Sequence, residues 1–104
     1  MAMKMYPVHT FFGDYKVLAY RNTYYGNGNL AIQLFTEIEP FATLTVNLNS
    51  AKEKLPVNQA YVDINNCPWA EEFIAENKLG KATGKYKSSG FCTYPLYEFD
   101  LSKL

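Results

Sequence analysis

The stretch Tyr61-Val-Asp-Ile-Asn-Asn-Cys-Pro-Trp-Ala-Glu-Glu-Phe-Ile-Ala-Glu-Asn-Lys-Leu-Gly80 predicts the one helix of this chain. A short β-branched run leads into an Asn-Asn turn, and Pro68 follows the turn. Proline disfavours helical geometry at the residue before it and is tolerated in a first helical turn, so the helix is predicted to begin near Pro68. Gly80 suits a helix end, which places the helix at about residues 68–79.

The predicted helix has one apolar face. Trp69 and Phe73 are four positions apart, as are Ala70 and Ile74, so these side chains form a single stripe that can pack against a sheet. Acidic residues occupy the opposite face, which we expect to be exposed to solvent: Glu71, Glu72 and Glu76.

Most of the remaining chain is typical of β-strands. Residues 15–25 and 30–37 flank a Gly-Asn-Gly-Asn sequence at 26–29 that favours a tight turn, which predicts a hairpin. Residues 43–49 alternate with a period of two, which predicts a half-buried strand. The predicted orientations are Leu44, Val46 and Leu48 inward, and Thr43, Thr45, Asn47 and Asn49 outward.

Two further strands are predicted at residues 60–64 and 91–101. Pro95 lacks an N–H group, so the last strand should begin there or lie at a sheet edge. The predicted fold class is therefore α+β: a mainly antiparallel sheet of about five strands with one helix packed against it. The 104 residues fit a single domain spanning residues 1–104.

The composition excludes several classes of protein. Ten basic residues balance ten acidic ones, which argues against both a dedicated duplex-DNA binder and an acidic DNA mimic. The first ten residues contain no continuous apolar segment of a signal peptide. No apolar run approaches the ~18–20 residues needed to span a bilayer. We therefore expect a cytoplasmic protein without membrane contact.

Catalytic residues are not indicated. His9 is the only histidine, and a nucleophile at Cys67 or Cys92 would need it as a base. Two cysteines 25 positions apart and one histidine do not form a clustered zinc site. We expect no enzymatic activity, no metal and no cofactor. The cysteines are expected to be reduced and half-buried, with a disulfide between them as the alternative.

Two surfaces are candidates for binding. Nine tyrosines exceed what a small core can bury with satisfied hydroxyls, and tyrosine is favoured at protein interfaces. The predicted partner-binding residues are Tyr20, Tyr24 and Tyr25 of the hairpin, with Glu71, Glu72 and Glu76 of the helix. The second surface is a lysine tract without acids that could contact phosphates: Lys78, Lys81, Lys85 and Lys87. Residues 81–90 are predicted to be a mobile loop or a weak strand, and a solvated loop explains the lysines equally well.

Five sequence blocks resemble a small family of domains of unknown function from conjugative elements, plasmids and phages of gut-associated bacteria. The blocks are Gly26–Leu34, Leu44–Leu48, Val62–Asn66, Phe73–Gly80 and Tyr94–Asp100. The resemblance brings no catalytic residues. It implies an accessory protein of mobile DNA, a class that includes inhibitors of host defence such as anti-CRISPR proteins.

The leading hypothesis is a non-enzymatic, protein-binding accessory protein of a mobile genetic element. Its expected partner is a CRISPR or restriction effector, which it would inhibit by steric occupation. The alternative is a nucleic-acid-associated accessory factor that uses the lysine tract at 78–87. A homodimer formed through a free edge, at residues 95–101 or at the hairpin, is a further option.

Overall fold

The computed structural model describes residues 4–48 and 54–104. Within these residues the chain forms eight strands, one α-helix and a short 3-10 turn at Leu101–Lys103. In chain order the elements are β1 (Tyr6–Thr10), β2 (Gly13–Thr23), β3 (Leu30–Phe35), β4 (Pro40–Thr43), β5 (Thr45–Val46), β6 (Gln59–Val62), α1 (Ala70–Glu76), β7 (Gly80–Ser89) and β8 (Cys92–Phe99).

The strands form two antiparallel sheets. The first has the order β1-β2-β3-β4, and the second has the order β5-β6-β8-β7. The predicted α+β class is confirmed, and so is the predicted hairpin, which is β2 and β3. The described residues contain three more strands than predicted, namely β1, β4 and β7. β1 and β4 are short and contain a proline each, and β7 is rich in lysine and glycine, so none of them shows a clear strand pattern.

The chain passes from the first sheet to the second at Leu44 and Thr45. β4 pairs with β3 as far as Thr43, and β5 pairs with β6 from Thr45 onward. At this junction the backbone N–H of Ile32 donates to the hydroxyl of Thr45 at 3.1 Å. On the other side, the N–H of Asp63 donates to the carbonyl of Leu44 at 2.9 Å. One threonine hydroxyl thus continues the hydrogen bonding of β3 where the backbone turns away.

The predicted exposure of Thr45 is wrong. Only 2% of Thr45 is exposed, and its hydroxyl also hydrogen-bonds with the phenol of Tyr24 at 2.8 Å. Period-two alternation assumes that a strand stays in one sheet, whereas this segment changes sheets. Of the other predicted positions, Leu44 and Leu48 are buried, Val46 is half-buried, Thr43 and Asn47 are exposed, and Asn49 lies outside the described residues.

The second sheet separates two apolar clusters. The larger cluster joins both sheets to the helix and includes Val8, Val17, Ile32, Leu34, Leu44, Val62, Phe73, Ile74 and Phe99. The smaller cluster consists of Leu48, Tyr61, Tyr94 and Leu96. Successive residues of a strand point to opposite faces, so Tyr61 and Val62 belong to different clusters.

The helix is shorter than predicted: it begins two residues later and ends three residues earlier. Trp69 is its N-cap, and Phe73 and Ile74 are buried as predicted. The helix ends because Lys78 adopts a left-handed φ of 54°, so Gly80 begins β7 instead of capping the helix. The side-chain amide of Asn77 donates to the carbonyl of Phe73 and to that of Pro7 on β1, each at 3.0 Å.

The prediction for Pro95 is also wrong. The last strand begins at Cys92, and β8 lies between β6 and β7, so residues 95–101 offer no free edge for dimerisation. Proline is tolerated here because β6 pairs with β8 only from Leu96 onward. On the β7 side, Pro95 lies opposite Tyr86, at one end of an irregularity in register between Ala82 and Tyr86.

Replacement of Thr45 by valine should destabilise the fold. Valine keeps the shape but leaves the buried N–H of Ile32 without its acceptor, which costs about 1–3 kcal/mol in the free energy of unfolding. Thr45→Ser keeps the hydroxyl and removes one methyl group, so it should cost about 1 kcal/mol or less. Urea denaturation of the two variants and the wild type measures both values. Equal stability of Thr45→Val and wild type would contradict the assigned role of the hydroxyl.

Candidate protein-binding surface

Two turns at one end of the first sheet expose apolar side chains. Phe11 and Phe12 form the β1–β2 turn and are 97% and 87% exposed, and Ile38 in the β3–β4 turn is 89% exposed. In the antiparallel order β1-β2-β3-β4, these two turns point in the same direction along the strands, staggered because β1 pairs with residues 13–17 of β2 and β3 with residues 18–23. We call Phe11, Phe12 and Ile38 the tip surface.

A threonine hydroxyl fixes the first of these turns. The hydroxyl of Thr10 donates to the carbonyl of Gly13 at 2.9 Å and accepts from the N–H of Phe12 at 3.1 Å. The rings of Phe11 and Phe12 lie edge to face, with their centroids 5.6 Å apart. The turn therefore presents the two rings in a defined arrangement.

Thr36 fixes the second turn in the same way. Its hydroxyl accepts from the N–H of Glu39 at 3.2 Å and from the N–H of Ile38 at 3.4 Å. Its own N–H donates to the carbonyl of Glu39 at 2.9 Å. Such hydroxyl-to-backbone bonds are a common way of closing turns, and here they hold Ile38 outward.

A row of aromatic rings connects this end of the sheet to the core. Tyr15 is 39% exposed and contacts Phe41, whose ring centroid is 5.1 Å away. Phe41 contacts Trp69 at 5.6 Å, and Trp69 contacts the buried Phe73 of the helix at 5.9 Å. Since protein cores are close-packed, the row ties strands β2 and β4 to the helix and gives the turns firm support.

Acidic residues lie next to the tip residues along the chain. Glu37 and Glu39 flank Ile38, Asp14 lies two positions after Phe12, and all three are exposed. His9 bridges two carboxylates: its Nδ1 lies 2.9 Å from Asp14 and its Nε2 lies 3.0 Å from Glu76 on the helix. Hydrogen bonding to Asp14 and then to Glu76 raises the pKa of His9. The bridge ties the β1–β2 hairpin to α1.

The three predicted tyrosines lie in different environments. Tyr25 is wholly exposed in the β2–β3 turn, at the opposite end of the first sheet from the tip surface. Tyr24 is half-buried, and burial raises the pKa of its phenol, which bonds to Thr45. Tyr20 is 41% exposed and lies edge to face with Phe35 at 5.2 Å. The phenol of Tyr24 therefore takes part in the packing of the fold.

The predicted acidic residues divide in a similar way. The phenol of Tyr97 donates to Glu71 at 2.8 Å, and burial together with this bond raises the pKa of Tyr97. Glu76 contacts His9, so two of the three carboxylates already hold the helix to the strands. Glu71, Glu72 and Glu76 are all exposed, as predicted for the solvent-facing side of the helix.

The sequence did contain a signal for the tip surface. Thr10-Phe-Phe-Gly13 places Thr and Gly around two aromatic residues, and Thr36-Glu-Ile-Glu39 precedes Pro40. Threonine and glycine are turn residues, so both segments could have been identified as turns with apolar tips. The β1–β2 hairpin was missed because β1 contains only five residues and includes Pro7.

The four lysines of the predicted nucleic-acid surface lie on β7 and just before it. Lys78, Lys81 and Lys85 are exposed, and Lys87 is half-buried. The predicted loop or weak strand is a ten-residue strand paired with β8. Pairing with a neighbouring strand overrides the low strand propensity of lysine and glycine.

The catalytic candidates do not come together. The thiol of Cys67 donates to the carbonyl of Thr43 at 3.6 Å, and burial raises its pKa to about 11. Cys92 packs against the smaller apolar cluster, on the other face of the sheet from Cys67, and both thiols are free. Among the described residues, no group of three His, Cys, Asp or Glu side chains is placed to hold a metal ion.

Taken together, the fold and its surface define a small α+β domain with an apolar tip bordered by acids. The chain belongs to the DUF4313 family, a domain of unknown function whose family model matches residues 16–104. This match confirms the resemblance to a small domain family of unknown function. Searches of curated proteins and of solved structures found no match. Within the described residues, no helix is long and apolar enough to cross a membrane.

The hydrogen bonds of His9 predict a specific titration behaviour. As the only histidine, His9 gives one unambiguous imidazole resonance by NMR, and its pKa should lie above the ordinary 6.5. Asp14→Asn and Glu76→Gln should each lower that pKa, with the larger effect from Asp14→Asn. Glu72→Gln is the matched control on the same helix and should leave it unchanged.

The sign of the stability effect follows from the raised pKa. The bridge contributes its full stability below the ordinary histidine pKa of 6.5 and loses it as the pH rises through the raised folded-state value. His9→Gln should therefore cost more unfolding free energy at pH 5.5 than at pH 9. A His9 pKa at or below 6.5 would contradict the bridge.

Proposed function

We propose that this chain is a non-enzymatic, protein-binding accessory protein of a mobile genetic element and that it acts by steric occupation of its partner. The tip surface carries the proposal: Phe11, Phe12 and Ile38 are each more than four-fifths exposed. The rings of Phe11 and Phe12 contact each other at 5.6 Å, and adjoining exposed apolar side chains mark interaction sites more often than isolated ones do.

The fixed turns favour binding by a pre-formed surface. Thr10 and Thr36 already hold the backbone that presents the three apolar side chains. A partner would therefore not have to order these loops, so little of the interaction free energy is lost to conformational entropy. Such a surface suits occupation of a partner's groove without any chemical reaction.

The charges beside the tip surface support a nucleic-acid-handling protein as the partner. Asp14, Glu37 and Glu39 place negative charge next to the apolar residues. Proteins that bind nucleic acids carry basic surfaces, and complementary charges speed and orient association. The finer proposal is therefore a host-defence inhibitor whose target is a CRISPR or restriction effector.

Affinity capture with matched variants tests this function. We expect the tagged chain to retain a protein from a nuclease-treated lysate of its bacterial host. Phe11→Ser combined with Phe12→Ser should reduce the amount retained at least about tenfold, because exposed aromatic anchors dominate interface energies. Phe91→Ser removes an equally exposed ring from another hairpin turn and should retain the partner as the wild type does.

Two outcomes would contradict the proposed function. One is loss of every retained protein on nuclease treatment, which would mean that nucleic acid mediates the contacts. The other is wild-type retention by the double variant, which would exclude the tip surface. As a control, unfolding curves of the variants should match that of the wild type, because the substituted side chains are exposed.

The second candidate function is a nucleic-acid-associated accessory factor that uses the lysine tract. One observation favours it: Tyr86 and Phe91 are 64% and 110% exposed in the same hairpin as Lys81, Lys85 and Lys87. Basic residues interleaved with exposed aromatic rings are typical of nucleic-acid surfaces. Salt separates the two candidates, since phosphate contacts weaken steeply as the ionic strength rises.

A further inference from the structure

The β7–β8 hairpin, residues 80–99, concentrates positive charge in a chain without net charge. No acidic residue occurs from Ala82 to Leu96, while Lys85 and Lys87 lie in that segment. Lys81 adds a third charge nearer the base of the hairpin, where it lies opposite Glu98 in the register of the two strands. Three of the ten basic residues of the chain thus lie on a different element from the acids beside the tip surface.

Exposed rings accompany these charges. Tyr86 lies between Lys85 and Lys87, and Phe91 forms the β7–β8 turn after Gly90. The neighbouring residues are small and exposed, so they leave the rings accessible: Gly84, Ser88, Ser89 and Gly90. Aromatic rings in such positions can stack on unpaired bases, and each base stacked contributes about 1–3 kcal/mol by alanine substitution.

The small number of lysines and the two exposed rings of the hairpin favour single-stranded over duplex nucleic acid. The hairpin carries three lysines and the chain has no net charge, so its electrostatic attraction for duplex DNA is weak. In a duplex the base faces are stacked on one another, so Tyr86 and Phe91 would have no stacking partner. Single-stranded nucleic acid presents both free phosphates and free base faces.

A peptide strand added to the edge of β7 fits less well. The register of β7 is irregular between Ala82 and Tyr86. Within this irregularity the hydroxyl of Thr83 donates to the carbonyl of Leu96 at 3.0 Å and accepts from the N–H of Lys85 at 3.2 Å. A bulge of this kind breaks the regular ladder that strand addition needs. Phosphate contacts by lysine side chains do not depend on that ladder.

We propose that the β7–β8 hairpin binds single-stranded nucleic acid, with phosphates on Lys81, Lys85 and Lys87 and bases on Tyr86 and Phe91. Lys87 and Tyr86 are neighbours on a strand and point to opposite faces, so the bound strand passes over the exposed edge of β7. The inference deepens the second candidate function and does not depend on the tip surface.

Fluorescence anisotropy with defined oligonucleotides tests the proposal. The probe is labelled oligothymidylate of about 20 nucleotides, long enough for one site, and the comparison is a duplex of equal length. We expect tighter binding of the single strand, with log affinity falling about 2 per tenfold rise in salt if three phosphates are contacted. Lys85→Ala with Lys87→Ala and, separately, Tyr86→Ala with Phe91→Ala should each weaken binding about tenfold or more.

Matched controls distinguish this site from the rest of the surface. Lys4→Ala combined with Lys16→Ala removes the same charge outside the hairpin and should leave the affinity within about twofold of wild type. Phe11→Ser combined with Phe12→Ser removes two exposed rings from the tip surface and should likewise bind normally. Whether this double variant still captures a protein tests the protein-binding proposal and does not affect the nucleic-acid proposal.

Several results would overturn the inference. These are absence of binding at low salt, equal binding of duplex and single strand, and wild-type affinity of either hairpin variant. Displacement of the oligonucleotide by oligoglutamate of equal charge, with no effect of the Tyr86 and Phe91 substitutions, would assign the hairpin to an acidic peptide and also overturn it.

Discussion

The hydroxyl of Thr45 is the interaction on which the rest of this structure depends. It accepts the hydrogen bond of the Ile32 N–H at the point where the chain leaves β4, which pairs with β3, for β5, which pairs with β6, and it also meets the phenol of Tyr24. A segment of two residues can therefore belong to both sheets without a buried N–H group left unpaired. Because the sheets are joined there, one apolar cluster can extend from β1 through the helix to β8.

This junction leaves two separate surfaces, which we propose as binding sites. The first sheet directs the tip surface outward, supported by the aromatic row from Tyr15 to Phe73 and by the bridge of His9 to the helix. The second sheet carries the β7–β8 hairpin with its lysines and exposed rings. Acids border the first surface and lysines the second, so a chain of zero net charge presents two electrostatically different faces.

Local sequence signals predicted the elements that depend on local chemistry. Pro68 and the apolar stripe at Trp69 and Phe73 located the helix, and the Gly-Asn repeat at 26–29 located the β2–β3 turn. The remaining features depend on contacts between residues that are distant in sequence, so they were not predicted. The burial of Thr45, the phenol of Tyr97 on Glu71 and the pairing of lysine-rich β7 with β8 all require tertiary partners that no short window contains. The tip surface was not predicted, because the tyrosine content favoured the β2–β3 turn at the other end of the first sheet.

The most direct test of the account is photo-crosslinking in living host cells, with p-benzoylphenylalanine at position 12 or, separately, at position 91. The account predicts discrete protein adducts from position 12 that survive nuclease treatment. It predicts adducts from position 91 that nuclease removes. Absence of protein adducts from position 12, or the same adduct from both positions, would contradict the assignment of two surfaces to two kinds of partner.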